Sequence, residues 1–212
     1  MALAPRSDLE DSRTRLIGAA EQLMREEGYA AVTSRRVASQ AGLKPQLVHY
    51  YFRTMDDLFL AILERGAEEN RERLAAAVSA AQPLQALWDL SSDPQTAVIA
   101  AEFVALANHR KTIRAQIARY AKEFRAMQIE AITRILHEHD IGHDVCPPEA
   151  LAVIMEAVAR VLVSEACLGM SKGHAETVAL VKRYLQKLGG PRRSQTPRKT
   201  LAGRRPTSNG RR

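Results

Sequence analysis

Residues 42–52 read GLKPQLVHYYF, and the fold turns on how this stretch folds. Gly42 suits the end of one helix, where a left-handed backbone is needed. Pro45 has its φ already set for the first position of the next. On a helical wheel, Val48 and Phe52 point one way with Pro45 beside them, and Leu43 joins them from just upstream. Gln46, Leu47 and Tyr50 point the opposite way, flanked by His49 and Tyr51. Two short helices joined by a Gly-containing turn, the second apolar inside and polar-aromatic outside, make a helix-turn-helix plan.

The surrounding chain supports that plan. Upstream, Leu16, Ile17, Ala20, Leu23 and Met24 recur at helical period until Gly28, and Thr33 is placed as the N-cap of the helix before Gly42. Downstream, Thr54 and Asp57 have the spacing of a capping box. Met55, Leu58, Phe59, Ile62 and Leu63 follow as a stripe, which gives way to the charged run ERGAEENRER at 64–73. Asp93-Pro94 starts a helix through Phe103 and Leu106, and Ile113, Ile117, Tyr120, Phe124, Met127, Ala131 and Ile135 mark a long amphipathic one. DVCPPEA at 144–150 opens a helix to about Met170, apolar on most sides, with Glu156 and Arg160 as its main polar pair. Apolar character nearly all round calls for cover nearly all round, and a second subunit would supply it. A last helix runs from about Ala175 to Leu188. There is no strand-like alternation and no internal repeat, so the class is all-α with about nine helices.

With 212 residues, 46% of them hydrophobic, the chain can bury a sizeable core. No apolar run approaches the ~18 residues of a membrane span, and the start lacks the apolar stretch of a secretory signal. Two cysteines give no disulfide framework, so a cytoplasmic location is expected. Cys167, in an apolar helical run, reads as a small core residue. From Gly189 onward there are eight arginines and lysines and no acid, which exceeds the whole net charge of +7. Cations are in excess within 1–53 and acids within 54–188. Positive charge at the ends suits contact with an anionic polymer, and the outward set of the short helix suits it chemically. Gln can pair with a base edge, Leu can meet a thymine methyl, and Tyr and His can hold phosphate oxygens.

From about Arg13 to Leu63 the sequence resembles the TetR family of bacterial transcriptional regulators. Gly28-Tyr29, Thr33, Arg35, Val37-Ala38, Ala41-Gly42-Leu43, Val48, Tyr51-Phe52 and Leu58 carry the resemblance. It departs from the family pattern at Lys44, Gln46, His49 and Met55, where Ser or Thr, Gly, Tyr and Lys are usual, so no operator sequence transfers. The resemblance implies phosphate contacts from Thr33 and Ser34 and a base contact from Arg35. It implies a recognition set of Lys44, Gln46, Leu47, His49, Tyr50 and Tyr51. It also implies a C-terminal helical domain for ligand binding and dimerisation, with Trp88, Phe103, His109, Tyr120, Phe124 and Met127 in the pocket region.

The expected organisation is an N-terminal arm (1–11), a helix-turn-helix DNA-binding domain (12–53), a helical ligand-binding and dimerisation domain (54–188) and a disordered basic tail (189–212). Val158 and Leu162 are placed in the dimer interface. The expected function is that of a homodimeric repressor, released from a palindromic double-stranded DNA operator by a small-molecule effector. It would have no cofactor, no catalytic group and no membrane partner. Two alternatives remain: a ligand-independent repressor, and a metal-responsive sensor using His137, His139, His143 and Cys146. No fixed zinc-ligand spacing supports the second.

Overall fold

The computed structural model describes residues 6–189, with side chains from Glu10 onward. The basic tail and the first part of the expected arm lie outside the described residues. Every regular element among those described is helical: α1 (Arg6–Glu27), α2 (Ser34–Ala41), α3 (Pro45–Tyr51), α4 (Met55–Val78), α5 (Pro83–Ser91), α6 (Pro94–Ala107), α7 (Lys111–Glu138), α8 (Pro148–Cys167) and α9 (His174–Gly189). A single 3-10 turn, Tyr29–Ala31, precedes α2. Helix α1 already begins within the stretch read as an arm. Helix α5 carries no strong periodic signal in the sequence and was not expected. It forms because Pro83 opens it and Leu84, Leu87 and Trp88 bury one face.

Caps set the boundaries as the sequence anticipates. The Thr54 hydroxyl accepts from the Asp57 N–H at 3.2 Å, and the Asp57 carboxylate accepts from the Thr54 N–H at 2.9 Å, a complete capping box. Asp93 caps α6 by accepting from the Gln95 N–H at 3.1 Å. Helix α8 stops three residues before the expected Met170. Gly169 turns left-handed at φ 76°, and the Met170 N–H closes back on the Glu165 carbonyl at 2.9 Å.

Two hydrophobic clusters organise the chain. The first gathers α1 to α3, the beginning of α4, Phe103 and Leu106 of α6, and Ile113 of α7. The second joins the end of α4 to α5, the far half of α7, α8 and α9, around Trp88, Ile132 and Met155. Helices α4 and α7 therefore pass through both. The charged run 64–73 is the part of α4 between the clusters. Its Arg65 pairs with Glu21 of α1, which also holds Arg25.

Candidate nucleic-acid interface

The turn between α2 and α3 is built from one backbone requirement. Gly42 takes φ 64° after the last residue of α2, and its N–H reaches the Ser39 carbonyl at 3.1 Å. The Leu43 N–H bonds the Ala38 carbonyl at 2.8 Å, which completes the C-terminal cap. From the opposite side, Arg15 of α1 donates to the Ala41 carbonyl at 2.7 Å. The turn is thus tied to the helix that supports it.

Helix α3 is oriented by Val48 and Phe52, which retain 1% and 3% of their exposure. Burying side chains of this size stabilises by roughly 1.5–3 kcal/mol each, enough to fix which face looks outward. Lys44, Gln46, His49 and Tyr50 lie on the exposed side, Tyr50 at 63%. Leu47 and Tyr51 are half-buried and pack one side against the first cluster. The Tyr51 ring stands edge-on to Tyr50, with centroids 5.0 Å apart. Its hydroxyl is covered by protein and has no hydrogen-bond partner among the described residues. Pro45 is exposed and does not share the inward face with Val48. At the first helical position the chain is still leaving the turn, so wheel geometry does not apply to it.

On α2, Thr33 caps the helix with its hydroxyl 3.4 Å from the Arg36 N–H and remains exposed. Arg35 is exposed, and Ser34 is half-buried. Arg36, their neighbour, pairs with Glu27. Its hydrogen bond holds the Glu27 carboxyl below its ordinary range. Arg35, Lys44 and Arg53 form no ion pair among the described residues, and no acid occurs from Thr33 to Arg53. Arg13 also comes to this end of the molecule. Its guanidinium lies 5.5 Å from the centre of the Phe52 ring, beside the last turn of α3. Only the fold reveals that position, because Arg13 stands far from α3 in sequence.

The remaining candidate residues do not gather in one place. Trp88 is buried and lines a groove of about 480 Å³ between α5, α6, α8 and α9, together with Val98, Leu162 and Lys182. Met127 lines a smaller hollow of about 320 Å³ between α4 and α7. Phe103 is buried in the first cluster, and Phe124 packs on the second. His109 is exposed between α6 and α7, and half-buried Tyr120 lies under Arg119.

Val158 and Leu162 are half-buried against their own chain's second cluster. The apolar side chains that α8 leaves exposed are Val153, Ile154 and Val161, and those on α9 are Leu180 and Tyr184. Cys167 corrects its expected core position: it is exposed at the end of α8 and lines the groove.

The metal-sensor reading is corrected as well. Among the described residues no three His, Cys, Asp or Glu side chains come together to hold an ion. His137 and His143 are exposed, while Cys146 is buried. Burial pushes its thiol above the ordinary value, and a hydrogen bond with Tyr184 pulls it only partly back. A buried thiol is a poor metal ligand.

Comparison with known proteins agrees with this architecture. Residues 16–62 match the profile described as bacterial regulatory proteins, tetR family. The transcriptional regulator BetI of Brucella canis is 30% identical over 132 residues, 62% of this chain and 63% of its own length. BetI of Rhizobium meliloti is 28% identical over 132 residues, 58% of this chain and 65% of its own. The chain thus matches under two thirds of the length of these relatives. Among solved structures, a TetR transcription regulator from Haloarcula marismortui superposes with a TM-score of 0.66 at 21% identity, over 85% of this chain and 97% of its own. A candidate transcriptional regulator from Saccharomonospora viridis in complex with choline gives 0.67 at 18%, over 84% and 95%. The helix-turn-helix segment thus follows the sequence pattern of the tetR family of bacterial regulatory proteins, and the all-helical body that carries it is similar in fold to solved TetR regulators.

Proposed function

We propose that the protein is a DNA-binding transcriptional regulator, acting as a homodimeric repressor that a small molecule releases from a palindromic operator. The observation that carries this reading is the exposed side of α3. It is polar and aromatic, lies in an acid-free stretch with cations on both sides that form no ion pair among the described residues, and is held by a turn that leaves it outward. Gln46, Tyr50 and Arg35 are the base-edge candidates, and Lys44, Thr33 and Ser34 the phosphate and register contacts.

The exposed Val153, Ile154 and Val161 of α8, with Leu180 and Tyr184 of α9, support dimerisation through these two helices. A two-fold pair would present two α3 helices to half-sites about one DNA turn apart, ~34–36 Å or a multiple of that. Helix α6 supports coupling to an effector. Its Pro94 and Val98 line the groove, its Phe103 and Leu106 are buried in the first cluster, and its Glu102 accepts from the Tyr29 N–H at 2.7 Å. A ligand that favours another placement of α6 would favour another spacing of the two α3 helices, by population shift.

The test is a gel-shift and footprint of the purified protein on the DNA flanking its own gene. A protected inverted repeat, lost in competition with its own sequence but not with random DNA, is expected. Equal competition by both DNAs would overturn the reading of a sequence-specific regulator.

A further inference from the structure

The groove between α5, α6, α8 and α9 has a chemistry that narrows what it can hold; the argument rests on taking it as the effector site. About 480 Å³ lies within the roughly 300–1,000 Å³ of small-molecule sites. Trp88, Val98, Leu162 and Ala166 make its walls apolar. The Ser92 hydroxyl is already used, donating to the Trp88 carbonyl at 2.9 Å. Polar character is left chiefly to Asp89 and Lys182 at the groove's solvent-exposed rim, whose side chains are 57% and 45% exposed and whose charged atoms stand 3.7 Å apart, beyond hydrogen-bond length. Asp89 also accepts from the Gln85 amide at 3.1 Å, so it keeps a partner if Lys182 turns away. The two charges cancel. The groove offers a donor and an acceptor side by side without a net charge to hold an ion. Trp88 is the chain's one tryptophan. At 1% exposure it presents no open ring face of the kind that binds a quaternary ammonium.

We propose that this groove takes an uncharged, largely apolar molecule with one hydroxyl-type group. That group donates to Asp89 and accepts from Lys182 while the tail lies against Val98 and Leu162. A carboxylate pairs with Lys182 only by displacing Asp89, and a quaternary ammonium pairs with Asp89 only by displacing Lys182, so either ion leaves one charge of the pair without its counter-charge. Choline, the ligand of the Saccharomonospora viridis protein, belongs to the second kind.

Trp88 makes the test direct, because the chain's one tryptophan lines the groove and its fluorescence needs no DNA. The full-length protein is titrated with octan-1-ol, octanoate and octyltrimethylammonium, which share one alkyl tail and differ in the head. Octan-1-ol is expected to change the emission saturably, at least about tenfold more tightly than either ion. Ala166→Phe, at an exposed position, fills the groove and should abolish the response without moving the melting temperature. Should that variant misfold, Lys182→Met on α9 replaces it, and a loss of about tenfold in octan-1-ol affinity is expected from one hydrogen bond to a charged group. Tighter binding of either ion, no saturation by octan-1-ol, or an unaltered response in the folded variants would overturn the proposal. So would an emission that follows protein dilution only, which would mean that a second copy covers the groove. A failure of operator binding in the gel-shift would instead strike at the regulator reading and leave this result standing.

Discussion

Gly42 sits at φ 64° with room beside it, since an added Cβ would meet only the Arg15 guanidinium at 3.6 Å. The demand on this residue is therefore conformational. Gly42→Ala should cost about 1–2 kcal/mol through the left-handed backbone, read as a lower urea midpoint with an unchanged slope. A neutral result would show that the turn can relax. Gln46→Ala and Tyr50→Ala act on the opposite side of α3 and should leave the midpoint alone. Each should weaken operator binding by about 1–3 kcal/mol and relax preference at one operator position. Wild-type affinity in both variants would remove α3 from base reading. The inward and outward faces of this helix were legible because Val48 and Phe52 repeat at helical spacing. The side packing of Leu47 and Tyr51 was not, because it depends on how the first cluster comes together, which no local pattern encodes.

Helix ends were readable for the same local reason, since a cap and its target lie within three or four residues. Asp93 shows what one cap does for its element. Burial alone would raise its carboxyl pKa, but the Arg73 guanidinium, the Thr96 hydroxyl and the Gln95 N–H overcome this and hold it below the ordinary value. A depressed carboxyl contributes stability that is present above its unfolded pKa and is lost as pH falls through the folded one. Asp93→Asn should keep a cap yet flatten the acid limb of the stability curve below about pH 4. An unchanged limb would mean that the charge contributes nothing.

Helix α8 separates two roles along one apolar run. Val161→Asp lies on the exposed side and should give a folded monomer by sedimentation. Val158→Asp lies on the chain's own cluster and should cost several kcal/mol of folding stability. A folded dimer from Val161→Asp would move the interface elsewhere. An apolar run by itself cannot say which side meets its own chain, so the sequence did not separate Val158, which packs on the second cluster, from Val161, which is exposed. Helix α5 was missed because nine residues hold too few turns for a period to stand out.

At the scale of the molecule, the all-helical plan was legible throughout, whereas the grooves of the C-terminal half were not. Of the six residues that the resemblance places in the pocket region, Trp88 lines the larger groove and Met127 the smaller hollow, and each is formed by helices distant in sequence. The first cluster draws Leu58, Phe59 and Ile62 from α4, Phe103 and Leu106 from α6, and Ile113 from α7. A fragment ending at residue 53 would expose the surfaces these side chains cover, and circular dichroism should find it unfolded. Helices α4 and α7 run through both clusters, with 24 and 28 residues, so neither cluster can melt without fraying a helix that the other needs. Calorimetry should therefore record one cooperative transition for the subunit. For anyone who would graft the proposed DNA specificity of this protein onto a known regulator, a cut at the end of α3 would carry the candidate contact residues but leave behind part of the core that aims them.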